Sequence, residues 1–343
     1  MTARVVSFGE IMLRLSPPGF ERLLQSPILN ATFGGGEANV AVSLAHFGLS
    51  SAYVTRVPAN AIGDASVRAL RAEGVDVTHI QRGGSRLGIY FAETGASQRA
   101  STVLYDRALS AISEVAPGSI AWDAVLAGAN WFHWTGITPA LSPNAAECTS
   151  EAIAAARKAG AKVSVDLNFR KKLWTESEAQ AIMRPLVTGA DLLIANEEDL
   201  QSVLGVEVAG ANVTTGELDP AAYRAAAERV AADFKVARVA ISLRESLSAS
   251  ENGWSAVLYD AGTGAFHHSQ RYVIRVVDRI GGGDSFAAGL LYGFIQNGAG
   301  DTALRFAVAA SALKHTVPGD FNRVSVAEVQ QLAGGDSSGR VQR

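Results

Sequence analysis

The sequence is poor in the features that mark secreted, membrane and nucleic-acid-binding proteins. It contains one cysteine, Cys148, which excludes an internal disulfide framework and suits a reducing compartment. No run of about 18 apolar residues occurs, so no transmembrane helix is predicted. The net charge of −3 argues against a nucleic-acid or anionic-membrane partner. Residues 1–4 lead into a strand without a signal-peptide pattern, so we expect a cytoplasmic protein.

Two common nucleotide-binding motifs are also missing. No G-x-x-x-x-G-K-[ST] sequence occurs, and no G-x-G-x-x-G follows the first predicted strand, so Walker loops and dinucleotide-binding fingerprints are excluded. The 48% apolar and 18% charged residues are typical of a soluble α/β protein. No repeat or linker divides the chain. We therefore expect one domain over residues 1–333 and a Gly/Ser-rich disordered tail over residues 334–343.

Hydrophobic patterning predicts an alternation of strands and helices. Strands are predicted at residues 4–9, 51–57 and 75–80, with a helix at residues 61–72, and the alternation continues with strands at 131–134, 162–166, 192–195 and 236–242. This order predicts a parallel sheet flanked by helices. A further helix is predicted at residues 120–129 and a polar loop at residues 210–219. Cys148 and His133 lie in apolar patterns and are predicted to be buried core residues. Residues 88–92 and 101–105 surround a short turn without a helix, so they should pair antiparallel and form a small second sheet with residues 11–33.

A glycine-rich turn at residues 278–286 is the most informative stretch of the sequence. A β-branched segment precedes Gly281, Gly282 and Gly283, and helical spacing follows Asp284. Glycines let an anion approach the free N–H groups at a helix N-terminus. An acid there would repel a resting phosphate, so Asp284 is predicted to take a proton beside an anion hole. The alternative is that Asp284 only caps the helix.

A second glycine-rich turn, at residues 33–41, also leads into a helix. Its polar side chains, Glu37 and Asn39, suit sugar hydroxyl groups, which both donate and accept hydrogen bonds. The alternative for this stretch alone is an Asn-capped helix after a flexible loop.

Polar residues follow two of the predicted central strands. Residues 166–170 include Asn168 and Arg170, and Asn196 to Asp199 form an acidic cluster. Ligands of open α/β sheets bind outside the carboxyl ends of strands. Asn196 and Asp199 could hold Mg²⁺ through water. The alternative is that these acids only complement a helix dipole.

The two glycine-rich turns resemble the signatures of the PfkB (ribokinase-like) carbohydrate kinases, Asp-Thr-x-Gly-Ala-Gly-Asp and Gly-Gly-x-x-x-Asn. Asp278, Gly281, Gly283 and Asp284 match the first, with Arg279 in place of Thr and Gly282 in place of Ala. The resemblance implies a three-layer α/β/α fold, a mostly parallel central sheet, and a small β-sheet lid formed by about residues 11–33 and 86–107. It also implies ATP and Mg²⁺ as cofactors.

Five segments are most similar to the 2-keto-3-deoxygluconate kinases within that family: residues 9–15, 34–39, 131–143, 166–174 and 278–293. The resemblance implies phosphorylation of 2-keto-3-deoxygluconate to its 6-phosphate, with Asp284 as general base and Gly281 to Asp284 as anion hole. It implies a sugar site formed by Gly35, Gly36, Glu37, Ala38, Asn39, Tyr90, Tyr105, Arg107, Arg170 and Asp320. The implied nucleotide site is formed by Asn168, Arg170, Ser242, Arg244, Glu245, Gly281 and Gly283.

Substrate chemistry gives separate support for a sugar acid. Burying a carboxylate without a cation is costly, and the guanidinium of Arg107, at the end of the predicted lid, could pair with it. The alternative is a surface arginine after a strand. Two other functions remain open: a kinase of the same fold for a neutral sugar such as fructose or ribose, and a non-catalytic sugar-binding relative. We expect a homodimer that pairs through the free edges of the lid sheet.

Overall fold

A computed structural model describes residues 2–208, 220–296, 298–336 and 339. The strands, in chain order, are β1 (Arg4–Phe8), β2 (Met12–Ser16), β3 (Asn30–Gly34), β4 (Ser50–Val54), β5 (Arg56–Val57), β6 (Gln81–Arg82), β7 (Gly88–Glu93), β8 (Thr102–Asp106), β9 (Trp131–Thr135), β10 (Lys162–Asp166), β11 (Leu192–Ala195), β12 (Arg238–Ser246), β13 (Glu251–Asp260), β14 (Ala265–His268) and β15 (Tyr272–Arg275). The helices are α1 (Gly36–His46), α2 (Ala61–Ala72), α3 (Trp122–Val125), α4 (Ile137–Ala140), α5 (Pro143–Lys158), α6 (Glu176–Val187), α7 (Glu197–Asp199), α8 (Pro220–Phe234), α9 (Gly282–Gln296), α10 (Gly300–Lys314) and α11 (Val326–Ala333). A π-helical turn at Leu200–Leu204 follows α7.

The central sheet of the described residues has nine strands and is mostly parallel. Its order is β14-β13-β12-β11-β10-β9-β1-β4, and β15 also pairs with β13. Strands β4, β1, β9, β10, β11 and β12 run parallel, whereas β13 joins β12, β14 and β15 antiparallel. The predicted fold class is confirmed. The antiparallel edge built around β13 was not predicted.

Helices cover both faces of this sheet because its strands are apolar on both sides. Val5 lies in the core beneath α1, α9, α10 and α11, while its neighbour Val6 lies in the opposite core with α3, α5, α6 and α8. Successive strand side chains point to opposite faces, so each strand contributes to both cores. Two predicted core residues are confirmed: Cys148 is buried, and fully buried His133 contacts Ser164 Oγ at 2.9 Å through Nδ1.

A separate four-stranded sheet, which we call the lid sheet, has the order β3-β2-β7-β8. Strands β7 and β8 pair antiparallel, as predicted, and β2 pairs antiparallel with β3 but parallel with β7. The inner side chains of β7 are buried in alternation with partly exposed ones. This sheet therefore packs one face against the rest of the protein, and β3 and β8 form its two edges.

Two local predictions were wrong. Residues 75–80 form no strand; an isolated bridge joins Asp76 to Ala52, and only Gln81–Arg82 pair, with β5. The helix predicted over residues 120–129 is reduced to the single turn α3. The disordered tail predicted over residues 334–343 stays a prediction. Gly334 to Asp336 hydrogen-bond back to α11, and residues 337, 338 and 340–343 lie outside the described part. The polar loop predicted at residues 210–219 also lies outside it. No described helix combines the length and apolarity needed to cross a bilayer.

Candidate active site

A cavity of about 710 Å³ opens at the carboxyl ends of the central strands, under the lid sheet. Its walls come from chain segments far apart in sequence: the N-termini of α1 and α9, the ends of β10, β11 and β12, and the inner face of β2, β7 and β8. Most predicted site residues line it: Gly35, Gly36, Asn39, Tyr90, Tyr105, Arg107, Asn168, Arg170, Asn196, Asp199, Ser242, Arg244, Gly281, Gly283, Asp284 and Asp320. The position is the one that an open α/β sheet offers to a ligand.

The turn before α9 has the geometry of an anion site. Gly281 has φ +86°, and a Cβ there would lie 2.1 Å from the backbone oxygen of Asp320, so only glycine fits. Within the described structure, no group accepts a hydrogen bond from the N–H of Gly281, Gly283 or Asp284. These N–H groups and the positive end of the helix dipole can therefore hold an anion at the cavity wall.

Gly282 does not line the cavity, which corrects its predicted place in the anion hole. A Cβ there would lie 2.3 Å from the His315 ring, and its carbonyl oxygen accepts a hydrogen bond of 2.7 Å from Ser311 Oγ. Gly282 thus lets α9 pack closely against α10. Its contribution to the site is to fix the turn, whereas Gly281 and Gly283 face the cavity.

The two cavity-facing glycines give a matched pair of substitutions. Gly281→Ala is expected to destabilise the fold by more than about 1 kcal/mol, since the new Cβ meets backbone at a positive φ. Gly283→Ala should leave the melting temperature nearly unchanged because no atom lies within 4 Å of its Cβ position. It should nevertheless weaken turnover, because the methyl group enters the space of the anion. Equal loss of stability in both variants, measured by thermal unfolding, would contradict this assignment.

Asp284 lies in the first turn of α9 and is held by Asn39. Asn39 Nδ2 donates a 2.6 Å hydrogen bond to Asp284 Oδ2, and Asn39 Oδ1 accepts one of 3.3 Å from Gly35 N. Burial raises the pKa of Asp284 from 3.8 to about 6, the nearby Asp320 adds to the rise, and the hydrogen bond from Asn39 opposes it. A carboxylate with a pKa close to neutrality is suited to take and release a proton.

The contact between Asn39 and Asp284 predicts a shift in pH dependence. Activity should fall below about pH 6 as Asp284 becomes protonated. Asn39→Ala removes a hydrogen bond that favours the ionised form, so the acidic limb of the kcat profile should move to higher pH. Ser43→Ala is a suitable control, since Ser43 lies one turn later on α1 and its hydroxyl donates to the backbone oxygen Asn39 O rather than to Asp284. An unmoved acidic limb in Asn39→Ala would contradict the role of this hydrogen bond.

The lid side of the cavity carries a buried polar network around Asp320. Asp320 accepts hydrogen bonds from Arg14 Nη1, at 2.8 Å, and from the Tyr90 hydroxyl. Gly34 passes directly beside it, because a Cβ at Gly34 would lie 2.0 Å from Asp320 Oδ2. Burial raises the pKa of Asp320, and Arg14 opposes the rise. Tyr105 packs against Tyr90 with ring centroids 5.9 Å apart.

Arg107 lines the cavity but is buried and paired rather than a surface arginine. Its Nε donates a 2.8 Å hydrogen bond to Glu10 Oε2, and its Nη2 contacts the same oxygen. No described residue accepts a hydrogen bond from Nη1, and the guanidinium lies 5.3 Å from the centroid of the Tyr105 ring. One edge of the guanidinium is thus held by Glu10, and the Nη1 end stays open to a ligand.

Two predicted sugar-binding residues of α1 do not line the cavity. Glu37 is fully buried beneath it, where Oε1 accepts hydrogen bonds from Thr135 N, Thr135 Oγ1 and Thr138 Oγ1. Burial raises the pKa of Glu37 to about 7. Ala38 packs in the core. Because helical residues advance by about 100°, Gly36 and Asn39 share the cavity face while Glu37 and Ala38 point inward.

The remaining wall of the cavity is lined by arginines. Arg170, Arg244 and Arg279 all face it, together with Asn168 and Ser242. Arg279 Nη2 donates to Ala249 O at 2.9 Å, and burial together with the charge of Arg244 lowers its pKa. Several guanidinium groups around one cavity favour a polyanionic ligand such as a nucleotide triphosphate.

Glu245, predicted to contact a nucleotide, points away from the cavity. It forms an ion pair with Arg271, with hydrogen bonds of 2.6 and 2.7 Å. Side chains alternate along β12, so Ser242 and Arg244 face the cavity and Glu245 faces the other side.

Two buried acids, Asp166 and Asp199, line the cavity at the ends of neighbouring segments. Burial raises the pKa of Asp199 to about 6, and burial with the charges of Asp199 and Asp284 raises that of Asp166 well above its usual range. Asp199 Oδ1 accepts from Phe169 N at 3.1 Å, and Asn196 Oδ1 caps α7 by accepting from Asp199 N at 2.8 Å. Asp166 was not among the predicted site residues, although its place at a strand end was a signal for it.

Comparison with known proteins places these features in a family. The profile of the pfkB family carbohydrate kinases matches residues 2–325. The crystal structure of 2-dehydro-3-deoxygluconokinase from Thermotoga maritima superimposes with a TM-score of 0.93 and 48% identity, covering 97% of this chain and all of that one. The 2-dehydro-3-deoxygalactonokinase of Haloferax volcanii is 35% identical over 98% of this chain and 99% of its own. The 2-dehydro-3-deoxygluconokinase of Bacillus subtilis is 27% identical over 96% and 94%. The chain therefore belongs to the pfkB family of carbohydrate kinases.

Proposed function

We propose that the protein transfers the terminal phosphoryl group of ATP to the primary hydroxyl of 2-keto-3-deoxygluconate, which gives the 6-phosphate. The observation that carries this proposal is the position of Asp284, a buried acid hydrogen-bonded to Asn39 and adjacent to free N–H groups. The relatives from Haloferax volcanii and Thermotoga maritima described above are named as kinases of this class of keto-deoxy sugar acid. We place the reaction in the cytoplasm, where the ATP supply is.

The chemistry follows from the groups around the turn before α9. Asp284 takes the proton of the sugar hydroxyl. The hydroxyl oxygen forms a bond to the terminal phosphorus of ATP as the bond between that phosphorus and the leaving ADP breaks. The N–H groups of Gly281, Gly283 and Asp284 stabilise charge on the phosphoryl oxygens during the transfer. Arg170 steadies the same oxygens. Lid-sheet residues Tyr90 and Tyr105 cover the acceptor side and limit water as a competing acceptor.

The residues present fit a magnesium ion held largely by phosphate and water. Asp166 and Asp199 are buried acids on one wall of the cavity, and burial together with the charge of Asp199 raises the pKa of Asp166. Such oxygen groups favour a hard cation. No cluster of three or more His, Cys, Asp or Glu side chains suited to a metal occurs in the part of the chain described. Asp166 and Asp199 would hold the ion through water, with Asn196 beside them. The ion would neutralise charge on the nucleotide phosphates.

A cation on the acceptor side favours a sugar acid over a neutral sugar. Arg107 Nη1 is the open end of a guanidinium whose other edge is held by Glu10, and it lines the cavity near Tyr90 and Tyr105. A carboxylate placed against Nη1 would be paired rather than buried alone, which would avoid a large desolvation cost. A neutral sugar offers no such partner.

An acceptor panel tests this assignment. ADP release would be measured with MgATP and each of 2-keto-3-deoxygluconate, its galacto epimer, fructose, ribose and adenosine. We expect turnover with the keto-deoxy acids only, and their relative kcat/KM would give the preferred epimer. Turnover of fructose or ribose alone would keep the kinase and reject the sugar acid. Binding of ATP or sugar without any turnover would favour the non-catalytic alternative.

We also propose that two copies pair through their lid sheets. Phe20, Leu24 and Ile28 in the β2–β3 connection, and Leu104 on β8, are large apolar side chains that are more than half exposed. They lie on or beside the lid sheet, whose two edge strands can pair with a second copy. Leu24→Glu with Leu104→Glu should convert the dimer to a monomer in sedimentation experiments, whereas Leu247→Glu, outside the lid sheet, should not. A monomeric wild type would reject the proposal.

A further inference from the structure

Arg14 is a buried cation on the inner face of lid strand β2, and each of its nitrogen atoms has a partner. Only 4% of the residue is exposed. Its Nε donates to Ser16 Oγ at 2.8 Å, its Nη1 to Asp320 Oδ1 at 2.8 Å, and its Nη2 to Asp278 Oδ2 at 2.7 Å. One planar group therefore joins the lid sheet to two carboxylates from the C-terminal part of the chain.

Each of those carboxylates also holds part of the active site. Asp278 Oδ1 accepts a 3.1 Å hydrogen bond from Ile280 N, directly before the glycine turn, and Asp278 Oδ2 accepts one of 3.0 Å from Gly319 N. Asp320 accepts from the hydroxyl of Tyr90 on β7. Two successive hydrogen bonds therefore connect the Arg14 guanidinium to the glycine turn through Asp278, and two connect it to Tyr90 on the acceptor wall through Asp320.

We propose that Arg14 is a positioning residue. It holds the glycine turn at residues 281–283 and the acceptor wall at Asp320 in a fixed position relative to each other under the lid sheet. The inference rests on the proposed phosphoryl transfer and extends it, because neither of the two glycine-rich signatures contains Arg14. Arg14 acts through Asp278 and Asp320 and does not itself line the cavity.

The chemistry of the network favours positioning over simple stabilisation. A buried ion pair is a poor device for stability, since the desolvation of its charges offsets much of the attraction. A guanidinium, however, fixes two carboxylates at a defined separation, which a lysine cannot do with one charged atom. The second buried cation nearby, Lys314, interacts with Asp278 and Asp320 through its charge, but its Nζ donates to Val317 O at 3.2 Å and forms no ion pair with either acid.

The arrangement also makes the lid sheet and the turn depend on each other. If β2 moved away from the central sheet, Asp278 and Asp320 would remain buried without the cation that Arg14 supplies. Displacement of β2 is therefore coupled to loosening of residues 278–284. A correctly seated acceptor, in contact with Tyr90 and Asp320, would in turn hold the phosphate turn in place.

The test compares three variants in the full chain. Arg14→Gln removes the charge, and Arg14→Lys keeps the charge without the fork. Arg22→Gln is the matched control, because Arg22 lies in the β2–β3 connection, is 63% exposed in its side chain, and pairs with Glu93 at 2.8 Å away from the cavity. Steady-state kinetics would use whichever panel acceptor the wild type turns over. Hydrogen exchange would be followed in peptides that cover residues 278–286 and 88–93.

We expect kcat of Arg14→Gln to fall by about a hundredfold, the scale for small misplacement of reacting groups. Its acceptor KM should rise about tenfold while its ATP KM changes less than about threefold, and exchange should accelerate in both peptides. Arg14→Lys should recover little of this loss, and Arg22→Gln should match the wild type. General destabilisation would lower the active fraction without this split between the two KM values.

Two results would overturn the proposal: an Arg14→Gln enzyme with kcat and acceptor KM within about threefold of the wild type, or unchanged exchange at residues 278–286. If Arg14→Gln does not fold, Arg14→Lys and Asp278→Asn carry the same comparison. If the wild type turns over no acceptor, the proposed function fails, and the exchange measurement alone decides whether Arg14 couples the lid sheet to the turn.

Discussion

Asp284→Asn is expected to reduce kcat by at least about a hundredfold, the scale for loss of a general base. The KM values for ATP and for the acceptor should stay close to those of the wild type, because the amide has the shape of the carboxylate. Asn39 Nδ2 can still donate to the remaining oxygen, so the turn should keep its geometry. The measurement is steady-state ADP release across pH 5–9.

Thermal unfolding separates this role from helix capping. The folded-state pKa of Asp284, about 6, lies above its usual 3.8, so its ionised form is disfavoured in the fold at neutral pH. Stability from this group is fully present below about pH 3.8 and is lost as pH rises through 6. Asp284→Asn should thus melt no lower than the wild type at pH 7. Any excess of its melting temperature over that of the wild type should disappear near pH 4.

Asp301 provides the matched control, as it is the first-turn acid of α10, where it pairs with Arg305 on the surface. Asp301→Asn should leave kcat unchanged and should change the melting temperature only slightly. An Asp284→Asn enzyme that keeps more than a tenth of the wild-type kcat would reject the general base. A lower melting temperature in both variants with normal kcat would support capping instead.

Arg107→Ala should reduce kcat/KM for 2-keto-3-deoxygluconate by about a hundredfold, but should have a far smaller effect on any neutral sugar that is turned over. Removing one partner of a buried, hydrogen-bonded charge pair typically costs about 2–5 kcal/mol, and about 2.7 kcal/mol corresponds to a hundredfold. The carboxylate of the sugar acid would lose the Nη1 group, while the hydroxyl contacts of a neutral sugar would remain.

The pair between Arg107 and Glu10 complicates the single variant, because Arg107→Ala leaves Glu10 buried without a cation. The double variant Arg107→Gln with Glu10→Gln removes both charges and leaves no orphan acid. If the carboxylate argument holds, the double variant regains melting temperature but not sugar-acid turnover. Equal losses for acid and neutral acceptors in both variants would show that Arg107 only supports the fold.

Local signals in the sequence predicted the parts of the site that are local in the chain. The turns at Gly281 and Gly34 were predictable because glycine runs, strand patterns and helical spacing lie within a few residues of one another. The strand ends at Asn168 and Asn196 followed from the β-α-β order. These elements place Asp284, Asn39 and Arg170 around one cavity, as predicted.

The direction of individual side chains was harder to predict. Glu37 and Glu245 belong to segments that reach the site, yet one turns into the core and the other to the opposite face of its strand. A shift of one residue in a helix or strand boundary reverses such assignments, and the sequence gives boundaries poorly.

Contacts between distant segments could not be predicted at all. Arg14 bonds to residues 264 and 306 positions away, and no feature of β2 marks it as a partner of Asp278 or Asp320. Arg107 was predicted to pair with a substrate carboxylate, and its bond to Glu10 was not predicted because Glu10 lies 97 residues earlier in the chain. Such pairs become visible only once the lid sheet is packed against the central sheet.

The position of the phosphate in the product tests the central claim most directly. The wild-type protein would be incubated with MgATP and 2-keto-3-deoxygluconate, and the product examined by ³¹P–¹H correlation spectroscopy. We predict one new phosphomonoester signal coupled to the C6 methylene protons, formed in step with ADP. Release of ADP and inorganic phosphate with an unchanged sugar acid, or phosphorylation of fructose in place of the acid, would contradict the account.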